Sequence, residues 1–256
     1  MARCTPTARG VVLSHLEFDL LWDDLSGQTP PYPLEVPSHG VTMAERDALG
    51  AKVFATLENA GLTDGEEVAP GLRELVELLN RPTRSVDALV FGEKAWRVLA
   101  AGTGERAVLA VLDDNELTLE PARPDRLVAA AMHVIGDLPA GPGEPVRMPR
   151  EALSAAMEAY ARSGYNGFER VLAAAHVTGR AARAVITLVD SERTGAGQAA
   201  ANGPDGRSPI VSWYDTATGR YAVTVEAVGN ELLATLTPAD GTWISRRLTE
   251  LLDQVI

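Results

Sequence analysis

The chain has 256 residues with 23 basic and 35 acidic side chains, a net charge of −12. That balance repels phosphate backbones, and the few aromatics are not interleaved with arginine, so nucleic acid is not an expected partner. No apolar run approaches the ~18–20 residues of a membrane span, the N-terminus lacks the long apolar core of a secretory signal, and Cys4 has no second cysteine to pair with. The expected setting is cytoplasmic, with no membrane insertion.

A short strand is expected at Val11–Leu13, followed by a helix. Ser14 and Glu17 have capping-box spacing, and Phe18, Leu21, Trp22 and Leu25 share one helical face. The segment SGQTPPYPLEVPSHG, with four prolines in fifteen residues, reads as a stiff extended connector. Thr42 and Glu45 form a second capping box, for a helix bearing Leu49, Val53 and Leu57 that ends near Gly61. A third helix places Leu72, Leu75, Val76 and Leu79 on one side and stops before Pro82.

Alternation then replaces helical spacing. Val86–Phe91, Trp96–Ala101, Ala107–Leu112 and Leu117–Leu119 are expected to form a four-stranded meander, closed by a helix with Leu127, Ala131, Val134, Ile135 and Leu138 on its inner face. A linker at 139–147 follows. Pro149 is suited to the first position of a helix bearing Leu153, Ala156, Met157 and Tyr160, and another helix is expected near 167–176. Strands are expected at Ala184–Val189, Ile210–Tyr214, Tyr221–Glu226 and Leu232–Leu236. The last helix carries Ile244, Leu248, Leu251, Leu252 and Val255.

Those five positions are the inner-face positions of the earlier closing helix, each displaced by 117 residues, and Pro121 maps to Pro238 at the same offset. NEL recurs at 115–117 and 230–232, two residues out of step. The expected fold is α+β: a central antiparallel sheet from two duplicated helix–meander–helix halves, about 11–138 and 148–256, related by a pseudo-twofold and flanked by helical bundles. The whole chain, 1–256, is then a single domain.

Chemistry is hard to find. His15, His39, His133 and His176 have no partner at metal-ligand spacing, and neither a Walker loop nor a nucleophile elbow is present. GAGQAA at 195–200 imitates a dinucleotide loop, but NGPDGRSP follows where a helix should start, so a flexible Gly-rich loop is the expectation. No catalytic residue, cofactor or metal is expected. His39 with Asp215 in a cleft between the halves is the enzymatic alternative; a dimeric scaffold is the other, which leaves room for a homodimer.

The segments LEFDLLWDDL, PYPLEVPSHGVTMAERDAL, ERAVLAVLDDNELTLEPARPDRLV, VSWYDTATGRY and LTPADG…LLDQV, in this order and spacing, resemble the EspG family of ESX (type VII) secretion-associated proteins. The resemblance implies a quasi-twofold fold and a cytosolic chaperone. Such a chaperone binds the hydrophobic tip of the PPE subunit in a PE–PPE heterodimer, or a PPE-like secreted protein, and delivers it to the secretion machine. It further implies binding through the central sheet, its projecting second-to-third-strand loop and the C-terminal helical bundle. On this chain the strands flanking that loop are taken as Trp96–Ala101 and Ala107–Leu112, and the family's Gly-Gln-Phe-Gly segment as GQAA (197–200). The expected partner-binding residues are Trp96, Leu99, Ala101, Gly102, Thr103, Arg106, Val108, Gln198, Trp213, Tyr214 and Tyr221.

Overall fold

Ser14 ends one element and starts the next. It is the last residue of β1 (Val11–Ser14) and the N-cap of α1 (His15–Ser26), where its hydroxyl accepts from the Glu17 amide and the Glu17 carboxylate accepts from the Ser14 amide. The second capping box, Thr42 with Glu45, starts α2 (Met43–Asn59) in the same way. In this computed structural model, residues 10–65 and 67–255 are described; Cys4 lies outside the described residues.

A small hairpin of β2 (Thr63–Asp64) and β3 (Glu67–Val68) leads into α3 (Pro70–Asn80). The meander is β4 (Arg84–Phe91), β5 (Ala95–Gly102), β6 (Ala107–Leu112) and β7 (Glu116–Ala122), closed by α4 (Leu127–Ile135). Then come β8 (Val146–Pro149), α5 (Arg150–Ala174), α6 (Gly179–Asp190), β9 (Arg193–Gly203), β10 (Gly206–Arg207), β11 (Val211–Thr216), β12 (Gly219–Val228), β13 (Glu231–Pro238) and α7 (Gly241–Gln254). The result is an α+β fold around one long antiparallel sheet.

The strand order is β1-β7-β6-β5-β4-β9-β11-β12-β13-β8, with β10 paired only to β9. β4 and β9 meet in the middle, in register from Ser85 opposite Asn202 to Phe91 opposite Ala196. One face of this centre is covered by α4 and α7. Their Leu127, Ala131, Ile135, Ile244, Leu248 and Leu251 pack with Val86, Ala88, Val98, Ala201 and Trp213. Each fully buried leucine or isoleucine here is worth about 1.5–3 kcal/mol. The opposite face is covered only toward its ends. Helices α1, α2 and α3 cover Leu99, Ala110, Leu112 and Leu117 on one side, and α5 and α6 cover Val146, Tyr221 and Leu236 on the other.

Four expectations are corrected. Ala184–Val189 is not a strand but the second half of α6, whose Val185 and Leu188 are buried with Ala181 and Ala184 packed beside them. The spacing is helical, and the run was too short for alternation to be told from it. GAGQAA is not a flexible loop but the interior of β9. Its glycine is demanded by packing: a Cβ on Gly197 would lie 2.1 Å from the Trp213 ring. The segment read as a linker runs directly into β8, an edge strand on β13, and Pro149 closes that strand as the cap of α5. Leu138 is only half buried because it lies beyond α4, which stops at Gly136, and Val134 within α4 is half buried too. The two helices expected between 150 and 176 are both present, as the two parts of α5 on either side of a non-helical backbone at Gly164 (φ 60°, ψ −151°).

Candidate functional site

One row of side chains crosses the whole sheet on its partly covered face: Leu13, Leu117, Leu112, Arg97, Leu89, Gln198, Ser212, Val223, Leu236 and Val146 stand opposite one another in turn. The first three are fully buried beneath α1–α3, and the last two are buried at the α5–α6 side. Between them Arg97, Leu89, Gln198 and Ser212 are only half buried. The site is therefore a cleft floored by β4, β9 and β11 and walled by two helical lobes.

The row toward the β4–β5 turn widens the cleft. Phe91 is 49% exposed, Ala196 and Tyr214 are half buried, and the Arg193 guanidinium stacks 4.5 Å from the Tyr214 ring centroid. The other end is polar. Asp87, nearly fully buried, accepts from both terminal nitrogens of Arg207 and, at 2.8 Å, from Asn202 Nδ2. The Arg207 guanidinium also lies 5.2 Å from the ring of Tyr32, which belongs to the Pro-rich connector. The Asp87 hydrogen bond, set against the cost of desolvation, holds Arg207 above its usual range. Arg97 donates to the carbonyl of Glu35 in the same connector. The connector, anchored by the buried Leu34, thus reaches from the first helical lobe to Arg97 on the floor and Arg207 at the cleft end.

Of the residues singled out from the sequence, Gln198 and Tyr214 lie on this open face, on the neighbouring strands β9 and β11. The others are dispersed. Leu99, Ala101 and Val108 are core beneath α1–α3. Trp96 and Trp213 face α4 and α7 on the opposite side of the sheet. Tyr221 is buried with α5 and α6, its hydroxyl donating to the Pro142 carbonyl at 3.0 Å. Gly102 ends β5, and Thr103 and Arg106 lie in the turn to β6, where Arg106 pairs with Glu74 of α3 at 2.8 Å. Sequence reasoning missed Leu89, Phe91, Arg193 and Ser212. The first two were readable as alternate positions of one strand, but not as uncovered ones.

His39 and Asp215 do not form a pair, since each is engaged elsewhere. His39 contacts Asp19 through Nδ1 at 3.1 Å, and Asp215 is bound by Arg220. Asp19 also accepts from the His39 amide and from Arg46, which donates further to Ser38, Asp23 and the His39 carbonyl. Burial alone would raise the Asp19 pKa. The Arg46 and His39 hydrogen bonds outweigh that, so it lies below the usual carboxylate value, while the bond to Asp19 leads in raising that of Arg46.

A long antiparallel sheet, helices at both ends of one face and an open floor between them define an α+β protein with a broad open cleft. The chain belongs to the EspG family, whose family model matches residues 14–250. Among solved structures, the fold is similar to that of the Mycobacterium tuberculosis type VII secretion system chaperone EspG5, solved in complex with a PE25–PPE41 dimer. The TM-score is 0.73 at 17% sequence identity, over 95% of this chain and 96% of that one. No curated protein matches the chain in sequence. Among the described residues, no helix is long and apolar enough to cross a membrane.

Proposed function

We propose that this chain is a cytosolic chaperone for PE–PPE-type secretion substrates, working by binding and not by catalysis. It holds the apolar tip of the PPE subunit in the cleft, keeps the heterodimer soluble and delivers it to an ESX type VII system. The observation that carries this reading is the half-buried row of Arg97, Leu89, Gln198 and Ser212 between two helix-covered ends of the same sheet. The solved EspG5 complex adds support, because a protein of this fold there accompanies a PE–PPE pair. An open cleft mixing Phe91, Leu89 and Tyr214 with amide and guanidinium groups suits a helical tip that is apolar at its centre and polar at its rim. Counting β1, the second and third strands of the long sheet are β4 and β5. The projecting turn implied by the family is then 92–94, beside Phe91, in place of Gly102–Arg106.

We further infer that the sheet arose from two copies of one module related by a pseudo-twofold. Supporting this, the strand order runs outward from the central β4–β9 pair through a meander to a short edge strand on each side. The NEL slip has a simple cause in this view. From Leu117 to Pro121 is four residues and from Leu232 to Pro238 is six, so the β12–β13 hairpin is longer than β6–β7.

The test is co-expression with a PE–PPE pair encoded nearby, followed by size-exclusion chromatography. A three-chain complex that Phe91→Asp with Gln198→Arg dissociates is the expected result. A PE–PPE pair equally soluble without this chain, and never co-eluting with it, would overturn the reading.

A further inference from the structure

A second groove, with no lining residue in common with the cleft floor, lies between α1 and α2 and has a volume of about 610 Å³. Helix α2 runs for 17 residues, yet only Val53 and Leu57 are buried. Its Met43, Asp47, Gly50 and Phe54 line the groove opposite Leu20 and Asp24 of α1. Met43 is 75% exposed although it is a large apolar side chain.

Gly50 is the unexplained residue. A glycine in a helix interior costs about 1 kcal/mol relative to alanine. Gly167, in the interior of α5, has a visible reason for the same cost, since a Cβ there would lie 2.8 Å from the Ala159 carbonyl. At Gly50 an added Cβ meets nothing within 4 Å. Packing within the chain does not ask for a glycine here, whereas close approach of another backbone does. With Ala51 beside it, the floor is shaped for a third helix laid between two.

Charge selects the kind of helix. Arg46, the one cation in the groove lining, is engaged by Asp19, Asp23, Ser38 and the His39 carbonyl. Asp24 and Asp47 have no ion pair among the described residues. The groove therefore offers an apolar floor of Leu20, Ala51 and Phe54 beneath an anionic rim. We propose that it docks a basic amphipathic helix of a protein partner, with apolar side chains on the floor and lysine or arginine against Asp24 and Asp47. This site does not depend on the cargo reading, because it shares no lining residue with the cleft floor.

The probe is a fluorescein-labelled Leu/Lys helical peptide of about five turns, ~18 residues, titrated into the full chain by anisotropy at low salt. Gly50→Leu puts a side chain into the groove from a Cβ that meets nothing within 4 Å. It should weaken binding at least about tenfold while thermal unfolding shows the fold intact. Asp24→Lys with Asp47→Lys should do the same. Asp205→Lys with Glu231→Lys makes the same net-charge change at exposed positions outside the groove lining and should leave affinity within about twofold. Unchanged binding by Gly50→Leu, equal weakening by the Asp205 and Glu231 pair, or equal binding of a Leu/Glu helix would each overturn the proposal.

Discussion

Arg220 and Asp215 face each other across the β11–β12 hairpin as a buried, two-point ion pair. Nε donates to Oδ1 at 2.6 Å and Nη2 to Oδ2 at 3.0 Å, with 1% of the arginine side chain exposed. The same guanidinium donates to the carbonyls of Ile135 and Gly136, which the end of α4 leaves without helical partners. One side chain thus satisfies a carboxylate and a helix terminus together. It also ties the first meander's closing helix to the second meander.

Removing one partner strands a buried charge. Arg220→Met is expected to cost about 3–5 kcal/mol in denaturant unfolding. The double variant Arg220→Met with Asp215→Leu should cost less than the single one, because no lone carboxylate is left behind. A purely additive double-mutant cycle would show that the pair is not coupled.

The cleft and the core beneath its neighbouring helices separate by observable. Phe91→Ala removes a half-exposed ring and should leave stability within about 0.5 kcal/mol while weakening PE–PPE binding roughly tenfold, about 1.4 kcal/mol. Leu99→Ala, at 3% exposure, should cost about 2–5 kcal/mol of stability and leave the affinity of the folded fraction unchanged. Calorimetry of both variants checks the division.

Acid should loosen the α1–α2 closure. The Asp19 pKa lies below its ordinary value in the folded chain. The unfolded carboxyl, near about pH 3.9, therefore binds a proton first as pH falls. The stability that Asp19 contributes is complete above that unfolded pKa and is lost as pH falls through the lower folded one. Asp19→Asn should be less stable at neutral pH and show a shallower loss of stability below about pH 4, measured by urea unfolding across pH.

Gly197→Ala should be destabilising by about 1–3 kcal/mol through overpacking, since the new methyl would meet both the Trp213 ring and the Leu89 carbonyl. Near-UV circular dichroism should report the displaced tryptophan. Wild-type stability in this variant would mean that Trp213 yields freely.

How much of this was legible depends on where the deciding contact lies. Ser14 with Glu17 and Thr42 with Glu45 act within one turn of chain, so spacing alone identified both helix starts. The five-position apolar faces of α4 and α7 were equally readable, because 3.6-residue periodicity records one buried side. Three of those positions in α4 and all five at the end of the chain are buried. β9 was not legible. Its Gly195, Gly197, Ala199 and Ala201 have little intrinsic strand preference, and the strand exists because β4 and β11 supply hydrogen bonds on both edges and Trp213 needs the space above Gly197.

The candidate site divides along the same line. Gln198 and Tyr214 were within reach of the sequence, whereas Leu99, Val108, Trp213 and Tyr221 looked equally available until helices were laid over them. Local sequence determined the caps, the closing helices, the first meander, the β11, β12 and β13 strands of the second and the family resemblance, since each is carried by residues close along the chain or by an ordered set of segments. Only the tertiary structure decided which part of a ten-strand row stays uncovered. Alternation says that a side chain leaves the sheet on a given face; only the docking of α1–α3 and α5–α6 from distant parts of the chain says whether anything meets it there.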